Sequence, residues 1–505
     1  MGLKLFNTLS RSVQDFTPLD PGLPRQSGAA AGGKKAGMYC CGPTVYDFAH
    51  IGNWRTFVFG DLVRRYLEFK NFQVTHVMNI TDVEDKIIRR VRETKTSLRE
   101  FTGKFEAAFF EDLEKLNCLR PHQTPRATEH IPEIISLIEE LLARGIAYQA
   151  ADDSVYFSIE KYRGCGCNYG QLLKLNFDEM RAGERVKSDE YAKESVADFA
   201  LWKARAPEDG DIFWPSSFGE GRPGWHIECS AMSMKILGAS FDLHLGGEDL
   251  IFPHHEDEIA QSEGATGKPF VKYWLHGAHL LVEGKKMSKS LGNFFTLRDL
   301  LAKGFTGREI RYLLLTAHYR ETFNFTMDGL AGAKTALARI DECVGKLREL
   351  GGTPGTVPAR TVGVQASACS ADTLKRELQP AGPVPGVPNL IADFTAAMDD
   401  DLNISAAWAV VFDWVRDTNR RLAENTLSAA DAATALTGWE KIDSVLGIGA
   451  KSGAEVPAEI LALAEARTAA KRAKDFKRAD AIRGELKLKG WVIEDTPKGP
   501  KLKKN

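Results

Sequence analysis

The chain has 505 residues, 43% hydrophobic and 27% charged, with a net charge of −2. This balance excludes a disordered chain and leaves room for three or more domains at roughly 100–200 residues each. No apolar run reaches the length of a membrane span, Met1–Thr8 contains no signal-peptide core, and eight cysteines in so long a chain make no disulfide framework, so a reducing, cytoplasmic setting with free thiols is expected.

Met38–Cys41 reads as a short buried strand ending at Gly42-Pro43. A loop follows, then a helix from about Asn53 on which Val58, Leu62 and Tyr66, and likewise Phe59, Val63 and Leu67, recur at four-residue spacing. Gln73–Ile80 is rich in β-branched residues and reads as a second strand. Strand, loop, helix, strand predicts a Rossmann-type, doubly wound α/β domain with a parallel sheet, whose ligands sit at the carboxyl ends of the strands. Phe241–Leu245 and Lys272–Leu281 are expected in the same sheet, the latter leading into a basic loop. Between about 148 and 211 the α/β rhythm lapses into short strands and a Gly/Cys-rich turn at Gly164–Gly170, which predicts an insertion.

From about Asp328 the pattern is helical, is interrupted by a Pro/Gly-rich linker at 351–388, and resumes at Leu390–Asn425 and Ala429–Leu446. A small mixed α/β unit starts near Pro457. Its first helix ends near Lys474, Asp475 caps a second, Gly490 closes it, and Trp491–Ile493 reads as a strand before the turn at Asp495-Thr496-Pro497. Three domains are therefore expected: 1–327 α/β with its insertion, 328–450 an α-helical bundle, and 451–505. The last carries 14 Lys/Arg against 8 Asp/Glu, +6, leaving −8 on the rest of the chain. A basic tail on an acidic body suits a polyanion contact and equally a solvated lysine-rich helix pair.

His50-Ile51-Gly52-Asn53 lies where the first strand gives way to the helix. Helix N-termini attract anions through unpaired amides and the helix dipole. Gly52 admits a nucleotide close to the backbone, and His50 and Asn53 are hydrogen-bond donors. Downstream, Lys286-Met287-Ser288-Lys289-Ser290, flanked by Gly284 and Gly292, combines two lysines and two hydroxyls in a loop suited to polyphosphate. A third constellation has metal-ligand types. His254 and Glu258 stand one helical turn apart, and Cys229 lies 25 residues before His254. Cys40 and Cys41 are strand neighbours that face opposite sides, so only one of them can join this group.

His50–Asn53 together with Lys286–Ser290 resemble the two signatures of class I aminoacyl-tRNA synthetases. Tyr39–Asp47 (YCCGPTVYD), Gly224–Met232 (GWHIECSAM), Phe252–Ser262 (FPHHEDEIAQS), Asn79–Asp82, the HxGGxD pattern at His244–Asp249 and the tail segment Ala473–Asp480 resemble the cysteinyl-tRNA synthetase family, over nearly the whole chain. The resemblance implies activation of L-cysteine with ATP and Mg²⁺ and transfer to tRNA(Cys); a monomer with no membrane association is expected. It implies His50 and Lys289 as transition-state stabilisers, Lys286 and Asn53 beside them, and Asp249 on the nucleotide ribose. It selects Cys41 over Cys40 and implies one zinc ion on Cys41, Cys229, His254 and Glu258. It places Thr81, Trp225 and His244 around the amino acid, with Gly42 and Thr44 beside it.

Zinc favours a thiolate over a hydroxyl, and a site built on such a contact rejects analogues by roughly 10⁴–10⁵, so no editing domain is expected. The resemblance further implies that the helical region lies along the tRNA and that the basic tail reads the anticodon. Phosphate contacts would come from Arg467, Lys471, Arg472, Lys474, Lys477 and Arg483. Phe476 is either a base-stacking platform or a core residue of the small unit. Two departures stand out: Asn53 occupies a position where many class I enzymes have histidine, and the chain ends Lys501-Leu502-Lys503-Lys504-Asn505 without the family's aromatic, which puts the last strand in question. Two other readings share these motifs. A cysteine ligase of the mycothiol-pathway type would use an amine-bearing sugar, against which the helical region and basic tail argue. A non-catalytic tRNA- or zinc-binding paralogue is opposed by the intact signatures.

Overall fold

The computed structural model describes residues 2–20, 34–173, 198–288, 291–351, 390–450, 458–496 and 499–504. Two compact units result, Met1–Ile448 and Gly449–Asn505. The first opens with a hairpin, β1 (Lys4–Asn7) and β2 (Ser12–Asp15). It continues through β3 (Lys35–Cys40), α1 (Ile51–Phe69), β4 (Gln73–Met78), α2 (Asp85–Thr94), α3 (Leu98–Lys115) and α4 (Ile131–Ala143). A four-stranded antiparallel sheet follows, built from β5 (Ala147–Gln149), β6 (Val155–Phe157), β7 (Phe199–Ala204) and β8 (Gly221–Pro223), with α5 (Ile159–Gly164) between its second and third strands. The sheet falls where an insertion was expected, at about 148–211, and its last strand reaches Pro223.

The chain then returns through α6 (Trp225–Leu237), β9 (Phe241–Gly247), α7 (Glu256–Thr266) and β10 (Val271–Gly277). Strands β10, β9, β3 and β4 lie side by side in that order, all parallel, with Met38 opposite Leu243 and His76. A parallel sheet buried on both faces needs continuous apolar strands, and β9 and the C-terminal half of β3 are buried throughout. The expectation that Lys272–Leu281 forms one strand of this sheet is corrected. The chain breaks at Ala278, whose N–H donates to Tyr319 O at 2.8 Å, and β11 (Leu280–Val282) joins a separate three-stranded sheet with β12 (Lys285–Lys286) and β13 (Phe323–Phe325).

Helices α8 (Leu297–Ala302), α9 (Gly307–Leu314), α10 (Met327–Gly351), α11 (Leu390–Asp399), α12 (Ile404–Ala423) and α13 (Ala429–Leu446) complete the first unit. The helical region shares one core with the sheet, in which Tyr66 and Leu67 of α1 lie with Leu337, Phe394 and Trp439. A buried ion pair ties the two regions: Arg311 donates to Asp61 Oδ2 at 2.6 Å and to Leu446 O at 2.7 Å, while Asp61 also accepts from Arg65 and from the Leu119 N–H. Breaking such a pair on one side strands a buried charge. Arg311→Met is expected to destabilise the protein by about 3–5 kcal/mol, read as a lower urea midpoint in circular dichroism.

The second unit contains α14 (Ala458–Arg472), α15 (Phe476–Leu488), β14 (Trp491–Thr496) and β15 (Gly499–Lys504). Asp475 caps α15 by accepting from the Arg478 N–H at 3.0 Å, and Gly490 takes φ +76° beyond its end. The last strand forms despite the missing aromatic, pairing Trp491 with Lys504 through Thr496 with Gly499. Ile460, Ile482, Leu486, Trp491 and Ile493 make the core of this unit. Phe476 is outside it, 62% exposed, so the core reading of that residue is set aside. Arg467 is 3% exposed and so drops out of the set of surface cations, whereas Arg472, Lys474, Lys477 and Arg483 are exposed.

Candidate functional site

Cys41 directly follows β3, and its N–H donates to Leu245 O at 3.2 Å, so the residue stays in line with the sheet. Cys40 faces the other way, against Gly60 of α1. Cys229 projects from α6, His254 from the kinked turn Ile251–His255, and Glu258 from the first turn of α7. The ligand atoms of Cys41, Cys229, His254 and Glu258 all lie within 4.8 Å of one another, and all four side chains are buried. His254 Nε2 is 3.1 Å from Glu258 Oε1, and Cys41 Sγ is 3.7 Å from the same oxygen.

Burial raises the Cys41 thiol well above its usual range, whereas the bond from Cys41 holds Cys229 down to about 6. Burial alone would raise Glu258 and lower His254, but the contacts with His244 and His254 bring Glu258 down to about 2, and those with Cys229 and Glu258 bring His254 up to about 10. These contacts draw Cys229 and Glu258 toward their anionic forms and His254 toward its cationic form. To act as ligands, Cys41 and His254 would have to release their protons. Soft sulfur, imidazole and carboxylate in this closeness fit a zinc-type ion.

A second group, Cys41, His244, His255 and Glu258, is equally compact. His244 Nε2 is 2.9 Å from Glu258 Oε2, His255 Nε2 is 3.4 Å from Cys41 Sγ, and His255 Nδ1 is 2.7 Å from His276 Nε2. Cys41, Cys229 and His254 line an open cavity of about 430 Å³; His244, His255 and Glu258 lie behind its wall. This places His244, which the resemblance put around the amino acid, against Glu258 and in a stack on Trp274 at 4.5 Å.

Gly42, Thr44, Thr81 and Trp225 line the same cavity. A side chain at position 42 would put its Cβ 1.7 Å from Asn79 O, so only glycine lets the loop run beside Asn79–Thr81. That course is fixed by Gly42 N–H to Asn79 Oδ1 at 2.8 Å, Thr81 N–H to Pro43 O at 3.1 Å and Val45 N–H to Thr81 O at 3.1 Å. Trp225 is 40% exposed and stacks on the His254 ring at 4.4 Å, so it is cavity wall and not core.

His50, Asn53 and Asp249 line the same cavity. The helix begins at Ile51, two residues earlier than expected, because His50 is its N-cap. His50 Nδ1 accepts from the Asn53 N–H at 3.1 Å, and Asn53 Oδ1 accepts from the His50 N–H at 3.1 Å. This reciprocal box sets the tautomer: Nδ1 accepts, so Nε2 carries the hydrogen. Asn53 thus has a structural use that histidine, lacking an amide oxygen, would not reproduce in the same way. Asp249 sits in the turn after β9, at the carboxyl end of the sheet.

Lys286 is exposed on β12, and Met287 packs against the Gly52 turn, 3.2 Å from where a Cβ would stand. The two signatures therefore meet. Lys289 and Ser290 lie outside the described residues. Residues that the motifs did not single out hold the loop. Asn293 accepts from the Ser288 N–H at 2.8 Å and donates to Lys286 O at 3.2 Å, and Phe294 packs edge-on to His50 at 5.3 Å. Glu256 is another, accepting three backbone N–H bonds from Gly170, Gln171 and Leu172 and so docking the insertion's Gly/Cys-rich turn onto α7. Glu228, beside Cys229, is fully buried; burial pushes its carboxyl well above the usual range, against the pull of the Thr81 side chain. In the sequence Glu228 and Glu256 stand inside family-like segments, whereas Asn293 and Phe294 lie outside all of them.

A family model described as the class I (C) tRNA synthetase catalytic domain matches residues 29–335, and one described as a DALR domain matches 393–451. The cysteine–tRNA ligase of Chlamydia muridarum (strain MoPn / Nigg) is 46% identical over 513 residues, covering 100% of each chain. That of Protochlamydia amoebophila (strain UWE25) is 42% identical, covering 99% of this chain and 98% of the relative. Among solved structures, the methionyl-tRNA synthetase of Mycobacterium tuberculosis bound to methionyl-adenylate superposes with a TM-score of 0.56 at 14% identity, covering 82% of this chain and 90% of that one, which bears on fold alone. A class I catalytic match joined to full-length identity above 40% means that this chain belongs to the cysteine–tRNA ligase family of class I tRNA synthetases.

Proposed function

We propose that the chain activates L-cysteine with ATP and Mg²⁺ to cysteinyl-adenylate and transfers it to the 3′ end of tRNA(Cys), with a zinc ion on Cys41, Cys229, His254 and Glu258. The observation that carries the reading is the joint cavity, lined both by thiol and imidazole ligand types and by a histidine-capped helix N-terminus. A zinc ion in that cluster supplies a soft Lewis acid that favours a thiolate ligand over a serine hydroxyl. Gly42, Thr44, Thr81 and Trp225 surround the rest of the amino acid.

The carboxylate of cysteine is already ionised and attacks the α-phosphorus, and pyrophosphate leaves. No general base is needed. Charge gathers on the phosphate oxygens, where the N-terminus of α1, the Nε2–H of His50 and the Asn53 amide offer donors that need no reorganisation. Lys286 and Lys289 add positive charge, and Asp249 accepts from the ribose hydroxyls. Residues 1–327 are assigned to activation, 328–450 to holding the tRNA and 451–505 to the anticodon. Exposed Arg472, Lys474, Lys477 and Arg483 around exposed Phe476 support the last assignment. The enzyme acts as a cytoplasmic monomer. No described helix is long and apolar enough to cross a membrane.

The test is ATP–pyrophosphate exchange with each amino acid, with and without a zinc chelator. Cysteine is expected to drive exchange about 10⁴-fold better than serine, and verified zinc removal to abolish it. Exchange supported equally by another amino acid, or undiminished without zinc, refutes the mechanism.

A further inference from the structure

The Gly/Cys-rich turn of the insertion has no part in the chemistry described so far. Among the described cysteines, Cys40, Cys41, Cys118, Cys229 and Cys343 are buried, whereas Cys165 is exposed and Cys167 half-buried. These two stand just beyond the end of α5. The Cys165 N–H donates to Lys161 O at 3.1 Å, the Gly166 N–H donates to Arg163 O at 2.9 Å, and Gly166 takes φ +81°. The backbone therefore turns between the two thiols, at a residue that glycine fills without strain. Two Cα steps of about 3.8 Å, bent at a turn, leave their ends within the roughly 4.4–6.8 Å that a disulfide spans. Burial, the neighbouring Cys165 sulfur and Glu263 hold the Cys167 thiol above its usual range, against the pull of the Tyr162 side chain. Cys165 is the thiol that a reagent in solution meets first, and Cys167 stands behind it.

The turn is anchored beside the metal-type cluster. The N–H groups of Gly170, Gln171 and Leu172 donate to Glu256 at 2.6, 2.9 and 2.9 Å, and the Tyr169 hydroxyl donates to Asp257. Glu256 and Asp257 immediately precede Glu258 on α7, and Leu172 packs in one apolar cluster with Cys41 and Cys229. Only Asn168 separates Cys167 from Tyr169. A bond that fixes Cys167 to Cys165 therefore acts next to the anchor that holds the first turn of α7.

We propose that Cys165 and Cys167 form a dithiol that exchanges with low-molecular-weight disulfides such as cystine, and that closing it weakens cysteine activation. The inference rests on the activation reading and adds a regulation to it: the oxidant is the disulfide of the amino acid that the enzyme consumes. The Cys165 thiolate attacks one sulfur of cystine, the S–S bond breaks, and one cysteine thiolate leaves. The Cys167 thiolate then attacks the Cys165 sulfur of the mixed disulfide and expels the second cysteine. The protons of the two protein thiols pass through water to the two cysteines. The protein loses two electrons and cystine gains them. Exposed, short-span disulfides are of the labile, regulatory kind.

The test holds cysteine constant, raises cystine, and compares the full-length enzyme with its Cys165→Ser variant. The tryptic peptide Gly164–Lys174 holds both cysteines and no other, so its mass reads the bond directly. In the wild type this peptide should lose two hydrogens and regain them with dithiothreitol. As the bond closes, kcat/KM for cysteine in ATP–pyrophosphate exchange should fall about fivefold or more, the lower end of ordinary coupling between sites. The variant should match the reduced wild type and ignore cystine. Mixed disulfides with cysteine in place of the internal bond, a closed bond that leaves exchange unchanged, or an equal loss of exchange in Cys165→Ser overturns the proposal. A reduced wild type that fails to activate cysteine would instead refute the proposed function, while the peptide mass still reads whether the dithiol closes.

Discussion

Cys229→Ala is expected to release the metal and to lower cysteine-dependent ATP–pyrophosphate exchange by about 10³-fold or more, corresponding to at least about 4 kcal/mol of lost transition-state stabilisation. Selectivity should fall with rate. With the ligand contact gone, the pocket separates cysteine from serine and alanine only by size, worth about 1–3 kcal/mol. The same variant decides between the two ligand groups, which share Cys41 and Glu258. If the ion sits among Cys41, Cys229, His254 and Glu258, Cys229→Ala loses it and His255→Ala keeps it. If it sits among Cys41, His244, His255 and Glu258, the outcomes reverse. Elemental analysis of the purified variants gives the answer, with circular dichroism as the check on folding. The first arrangement is preferred because three of its four residues line the cavity, so a bound ion would meet the substrate thiol, whereas His255 is turned toward His276 behind the wall.

His50→Ala is expected to lower kcat for exchange by about 10²–10³-fold, the usual cost of losing one preorganised donor to a developing oxyanion. It also removes an N-cap, worth about 1 kcal/mol to the start of α1. The two effects separate in His50→Asn. Asparagine is a good N-cap and can accept from the Asn53 N–H as the histidine does, so stability should return while kcat stays low. Steady-state exchange kinetics and thermal melts of the two variants read this directly. Recovery of kcat together with stability in His50→Asn would mean that the histidine acts through the helix start alone.

The core of the sheet could be read from the chain because its periodicity is strong. Val58, Leu62 and Tyr66 are all buried on α1, as the four-residue spacing required. The second unit was legible for the same kind of local reason: Asp475 and Gly490 are capping residues whose preferences need no tertiary contact. Errors arose where a tertiary bond overrides a local pattern. Lys272–Leu281 is apolar enough for one strand, but the chain hands over to a second sheet once Ala278 bonds Tyr319, 41 residues away in sequence. The helix start shifted to Ile51 because His50, not usually counted among capping residues, accepts through its ring. Arg467 looked like any other cation of the basic tail until packing buried it.

The residue types at positions 41, 229, 254 and 258 and the two phosphate-type signatures told, from the chain alone, which chemistry to look for. Spacing left Cys40 and Cys41 equivalent; β3 separates them, turning Cys40 to α1 and setting Cys41 beside Cys229 and Glu258. The partners of those residues belong to the fold. Glu258 is held by His244 from β9, and His50 by Asn53 within its own helix turn, while Met287 from a distant loop closes on Gly52. Ligand types follow from local chemistry and are written in the sequence. Which atoms stand within 4.8 Å of each other, and which face an open cavity, depends on the packing of α6, α7 and the parallel sheet, whose long-range contacts no local pattern encodes.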